Sequence, residues 1–209
     1  MDFLSNIVQQ ALTIIYNTLK GMGVANYGVA IIVLTVLIKL ALHPLTVKQM
    51  VSMKKMTQIQ PKMKELQERY KDDKERLNFE LANLYKKEGV NPLSGCLPLL
   101  IQMPIMIGIF YGIRDFQYAG PTNFLWLESI ANPDPTYILP VLSALTTLIS
   151  SKQMSGSSPM SGANGLLMTY GMPVFIGYIS LEFPAGLVLY WVVMNIMQIV
   201  QQALINKSN

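Results

Sequence analysis

One lysine stands inside an apolar run. Lys39 is the only full charge between Val24 and His43. At the centre of a membrane span a lysine costs about 2.5–3.5 kcal/mol on the insertion scale. Thr35 lies four residues earlier and so shares its helical face. Together they offer a cation in a polar cavity, able to draw in a carboxylate. A second reading fits the span equally well. His43 is only four residues on, about 6 Å along a helix axis, so the lysine stem can reach the aqueous interface. Gln102, Gln153, Tyr190, Trp191, Asn195 and Gln198 are further polar groups in or at the ends of apolar runs. Each could face Lys39 or bond across helices as packing glue. Glue is the default for Asn195 and Gln198. An enzyme would have to rest on Lys39 and His43, four apart on one face. One His and one Cys exclude a Cys/His metal cluster and an internal disulfide. No Walker or dinucleotide glycine loop is present. The expectation is no enzyme, no cofactor and no metal.

The rest of the chain must hold these groups in lipid. Of its 209 residues, 13% are charged and 51% hydrophobic, with net charge +4 and mean hydropathy +0.35. Soluble domains average about 25% charged. A disordered chain and an ordinary soluble enzyme are both excluded. Between Lys48 and Glu88 lie 11 basic and seven acidic residues. The remainder is almost uncharged. The aromatics sit in the apolar runs, not among the Lys and Arg, so no nucleic-acid binding is expected.

The periodicities predict an all-α membrane protein. Residues 1–23 read as an amphipathic helix, with Leu4, Ile7, Val8, Ala11, Leu12, Ile15 and Leu19 on one side. It suits either an interfacial helix or a helix packed on the protein itself. It is a poor signal peptide, with no basic start and no continuous apolar stretch. Residues 24–45 form a first span. Residues 46–90 form a helical hairpin. Met50, Met53, Met56, Ile59, Met63 and Leu66 step by three and four along its first helix. Asp72 with Glu75 starts its second helix as a capping box, and Gly89 closes it before Pro92. Further spans are expected at 93–116, 137–151, 166–182 and 184–204. They are joined by loops at 117–136 and 152–165 and followed by a tail at 205–209. The chain has 14 methionines. Flexible, polarizable Met side chains suit surfaces that take many partners. They also serve as ordinary core filling.

Five spans can be oriented by their basic loops. The hairpin, Lys152 and Lys207 fall on one side. Lys20 and Arg114, with Asp2, Asp115, Glu128, Asp134 and Glu182, fall on the other. The expected topology is N-terminus outside and C-terminus cytosolic, in a bacterial plasma membrane.

The block N-P-L-S-G-C-L-P-L-L-I-Q-M-P at 91–104, following a charged hairpin, resembles the YidC/Oxa/Alb family of membrane protein insertases. H-P-L-T at 43–46, Y-I-L-P at 137–140 and F-P-A-G-L-V-L-Y-W at 183–191 occur in the matching order. The resemblance covers nearly the whole chain and is similar to the minimal five-span core. It implies a five-helix bundle around a hydrophilic groove that is open to cytosol and lipid and closed outside. It places the family's groove arginine on Lys39, its threonine on Thr35, its glutamine on Gln153 and its last-span aromatic on Trp191. Gln102 and Tyr190 are secondary groove candidates. Lysine keeps the charge but loses the planar fork of five donors. The implied activity is insertion and folding of small membrane proteins. The implied partners are nascent membrane proteins, the lipid bilayer, ribosome or targeting factors, and the Sec translocon. Met50, Met53, Met56 and Met63 are the expected docking face of the hairpin. The reading of another class is a small-solute transporter or channel with Lys39 in its binding site, though no inverted repeat of broken helices is visible.

Overall fold

Asn26 starts the first strongly apolar helix. Its Oδ1 accepts from the Val29 amide at 3.1 Å, and its Nδ2 donates to the Asn123 carbonyl at 3.0 Å. One side chain therefore caps the helix and ties it to a distant loop. In the computed structural model this helix is α2, Tyr27–Ala41. The structure describes residues 2–91, 97–155 and 163–207. Pro92, Cys96, and residues 156–162 of the expected loop lie outside them.

The regular secondary structure of the described residues is helical apart from an isolated bridge between Phe124 and Leu127. In order follow α1 (Asp2–Gly21), α2, α3 (His43–Arg69), α4 (Lys74–Glu88), α5 (Leu97–Arg114) and α6 (Ile138–Ser155). A continuous helical run comes next: α7 (Ala163–Leu166), a π turn (Leu167–Gly171) and α8 (Met172–Ile179). The last helix is α9 (Ala185–Lys207). α6 packs on α8 and α9, α2 on α9, and α1 on α5 and α2. The bundle core is built around Tyr27, Ile31, Ile109, Ile113, Val188 and Tyr190.

α1 divides into sectors. Leu12 and Tyr16 are buried, and Tyr16 stacks on Tyr27 with centroids 3.8 Å apart. Phe3 and Ile14, on another side, are 76% and 66% exposed. The helix is thus packed on the protein and still shows an apolar stripe outward. Gly112 makes its seat on α5. A Cβ there would lie 2.6 Å from Val8 Cγ1.

The loop between α5 and α6 supplies what helix ends lack. Asn132 and Ile130 carbonyls accept from the Ala185 and Gly186 amides, both at 2.8 Å, which satisfies the first turn of α9. Asp134 does the same for α6. Its Oδ2 accepts from the Leu139 amide at 2.8 Å, and its Oδ1 from Thr136 N and Oγ1 at 2.9 and 2.6 Å.

Several expectations need correction. The hairpin begins at His43, not 46. Pro44 sits in the first turn of α3, where its missing N–H costs nothing, and the axis bends by 63° between α2 and α3. Asp73, not Asp72, caps α4, accepting from the Arg76 amide at 3.0 Å. A turn from Tyr70 to Asp73 uses Asp72 as its tip. Gly89 closes α4 with φ of 62°. α6 runs to Ser155, so Lys152 and Gln153 ride on a helix instead of a loop. The methionine stripe is not an open face. Met50, Met53, Met56 and Met63 are 2%, 6%, 1% and 3% exposed. Met56 and Met63 form a small core with Ile59 and Val90, against Leu81, Leu84 and Tyr85. A two-helix hairpin must bury some apolar side, and this is the one it has.

α9 alone among the described helices is long and apolar enough to cross a bilayer by itself; α2 counted through its bend into α3 is a second.

Candidate functional site

Lys39 lies one turn before the bend, on the side of α2 that meets α9. It is 8% exposed and Thr35 is fully buried. The Lys39 ammonium donates to Gln198 Oε1 at 2.7 Å. Thr35 Oγ1 donates back to the Ile31 carbonyl at 2.7 Å, so its hydroxyl needs no further acceptor. Gln102 of α5 donates through Nε2 to the Tyr190 hydroxyl at 2.9 Å. These five residues line one cavity of about 50 Å³, together with Thr46 and Gln49 from the start of α3. That is room for a few waters, not for a helix. The cavity reaches from inside the bundle to the foot of the hairpin.

The spacing on α9 explains which groups converge. Tyr190, Met194 and Gln198 are each four apart and all line the cavity. Trp191 is one residue on, turned by about 100°, and borders a different space. That second cavity, about 210 Å³, lies between α5, α8 and α9 and is lined by Phe110, Tyr111, Ile176, Phe183 and Val188 among others. The Trp191 indole donates to Thr147 Oγ1 at 3.0 Å. Gln153, at the far end of α6, lines neither cavity. Its Oε1 is buried with no hydrogen-bond partner among the described residues.

Of the six groove candidates, then, Thr35, Lys39, Gln102 and Tyr190 share a cavity, while Trp191 and Gln153 stand elsewhere. Asn195 is glue, donating to Thr146 and Thr147 at 3.2 and 2.9 Å. Gln198 is not. It is the direct partner of Lys39, and the two four-residue steps from Tyr190 through Met194 are the signal that marks it. Gln49 and Thr46 had no such signal, because they reach the cavity only through the bend.

One turn further along α9, Gln201 Nε2 meets His43 Nδ1 at 3.1 Å. The last helix thus grips both sides of the bend.

Comparison with known proteins gives a consistent picture. The family described as 60Kd inner membrane protein matches residues 18–209. A relative from Listeria innocua, membrane protein insertase YidC 2, is 45% identical over 185 residues, covering 87% of this chain and 64% of that protein. The chain thus spans about two thirds of the length of that relative. Membrane protein insertase YidC of Fusobacterium nucleatum is 38% identical over 208 residues, covering 100% of this chain and 99% of that one. The crystal structure of an active YidC insertase with its first transmembrane domain resolved matches with a TM-score of 0.69 at 24% identity. The match covers 93% of this chain and 45% of that one, and shows a shared fold.

Proposed function

This chain belongs to the 60Kd inner membrane protein family, and on that basis we propose that it is a membrane protein insertase and folding chaperone. The observation that carries the reading is the buried Lys39 ammonium in a polar cavity at the foot of the hairpin. An insertase must move the polar flank of its client across hydrocarbon. Each charge costs about 2.5–3.5 kcal/mol, while each arriving Leu or Ile returns only about 0.3–0.6. A wet cavity with a cation shortens the dry path and draws in acidic residues of a client's short outer tail. The client's apolar helix can then leave sideways along the Trp191 cavity, whose lining is almost wholly apolar. Client partitioning and the membrane potential would supply the driving force.

The placement that goes with this function has five spans: α2, α5, α6, the α7–α8 run and α9. α5 and α6, at 18 residues each, are about 27 Å long at 1.5 Å per residue, and α9 at 23 residues is about 34 Å. A hydrocarbon core is about 30 Å. The exposed stripe of Phe3, Ile7 and Ile14 suits α1 to the outer interface of a bacterial plasma membrane. The N-terminus is outside and the C-terminus cytosolic. With its methionines inward, the hairpin docks ribosome, targeting factors or the Sec translocon through its outer face, where Phe79 is 64% exposed among Lys and Arg.

Lys39→Arg and Lys39→Glu test the reading, at matched protein levels, with an acidic-tailed reporter client. Lys39→Arg keeps insertion and Lys39→Glu loses it. Equal insertion by wild type and Lys39→Glu would sink the role of the charge.

A further inference from the structure

Among the described residues, no acid attends Lys39. The residues lining its cavity include no Asp or Glu, and the ion pair found among the described residues, Lys62–Glu88, lies out on the hairpin. A buried ammonium is ordinarily paired with a carboxylate. Here its acceptor is the Gln198 carboxamide at 2.7 Å. We propose that Gln198 is a positioning residue that sets client selectivity: it holds the Lys39 ammonium inside the cavity through a neutral acceptor, and it yields the ammonium to the carboxylate of an arriving client. This deepens the insertase reading above and rests on it.

The chemistry of the pair supports the exchange. Lys39 has three N–H donors and no acceptor, and Gln198 takes one. A hydrogen bond charged at both ends is stronger than one charged at a single end. A client carboxylate therefore displaces the amide favourably, whereas a resident carboxylate would already have neutralised the site. Without any acceptor at 198, the lysine stem is free to swing toward the aqueous interface, four residues away at His43. α9 does not depend on Gln198 to stay in register. Asn195 is bonded to Thr146 and Thr147 on one side, and Gln201 to His43 on the other. The carboxamide can change while the helix keeps its place.

The test uses the full chain in proteoliposomes and three reporter clients that differ only in a short acidic, neutral or basic outer tail. Gln198→Glu is expected to lower acidic-tail insertion relative to neutral by roughly tenfold, the resident carboxylate taking the client's place. Gln198→Leu is expected to lower it severalfold more than it lowers insertion of the neutral and basic tails. Equal loss for all three tails in both variants would mean a purely structural role and overturn the proposal, as would no change in either. Lys39→Glu, run in parallel, keeps the two readings apart. If it inserts every client as wild type does, the cavity itself is out of the mechanism. If it discriminates between tails and the Gln198 variants do not, only the role of Gln198 falls.

Discussion

Gln201 and His43 are joined across a 63° bend, Nε2 to Nδ1 at 3.1 Å. The two ends of this bond are not equivalent. Gln201 is buried, and its own Oε1 is without a hydrogen-bond partner among the described residues. His43 is exposed and can turn to water. His43→Leu therefore leaves a buried amide donor unpaired and should cost about 1–3 kcal/mol. Gln201→Leu removes both the donor and the orphan oxygen and should be nearly neutral. Thermal melts in one detergent check the order. Spin labels on α3 and α9 should show a broader distance distribution in both variants, since each deletes the bond across the bend. Equal destabilisation by both substitutions contradicts the asymmetry.

Asp134 gives a pH dependence with a definite sign. Burial would raise its carboxyl. The Thr136 hydroxyl, the Leu139 and Thr136 amides and Trp126 outweigh burial and hold it below its ordinary value. A carboxyl lowered in the folded chain contributes stability above its unfolded value, near 3.9, and loses it as pH falls through the folded value. Asp134→Ala should cost about 1–2 kcal/mol at neutral pH, as for a lost helix cap. The gap to wild type should close as pH falls below about 4. Melts of both proteins from pH 7 to pH 3 decide it, and a gap independent of pH would show that the carboxylate charge has no part.

How much of this was legible beforehand differs by residue. The helical architecture, the αL Gly89 and the Lys39–Thr35 face follow from local rules of spacing and capping, which sequence displays directly. Tyr190 and Gln102 read as polar groups in apolar runs, but their bond to each other is a contact between α5 and α9 that no periodicity encodes. Sequence alone reads Gln198 as glue, because a glutamine in an apolar run bonds to whatever is near. Only the position of α2 makes that neighbour Lys39. The methionine stripe shows the opposite failure. Its period was clear, yet period alone does not tell a buried face from a docking face, and the return of α4 over Met56 and Met63 decided the matter. Asp72 and Asp73 are chemically equal caps, separated only by where the preceding turn closes.

The seat of α1 on α5 depends on the absence of a side chain. A Cβ on Gly112 would come 2.6 Å from Val8 Cγ1 and 2.9 Å from its Cβ, so the backbones must part or Val8 must give way. Gly112→Ala should destabilise by about 1–3 kcal/mol, the usual cost of overpacking. Shortening the neighbour should relieve it, so that Gly112→Ala with Val8→Ala loses less than the sum of the two single changes. A double-mutant cycle on unfolding midpoints reads the coupling directly. Strict additivity would mean that α1 shifts freely and is not seated on Gly112.

Met56 separates core from contact surface in the hairpin. It is 1% exposed and packs with Ile59, Met63 and Val90 under the side chains of α4. Met56→Leu keeps volume and apolarity and should cost less than about 1.5 kcal/mol. Met56→Asp places a charge among Ile59, Met63 and Val90 and should unfold the hairpin, making the already exposed Arg69 and Lys71 sites of fast trypsin cleavage at the loosened turn. If the methionines instead contacted partners directly, Met56→Leu would weaken ribosome or targeting-factor binding with the hairpin still resistant to protease. Burial predicts the reverse pairing: under the proposed docking, binding is lost only together with protease resistance, because the partner would read the outer face of a hairpin that Met56 holds closed.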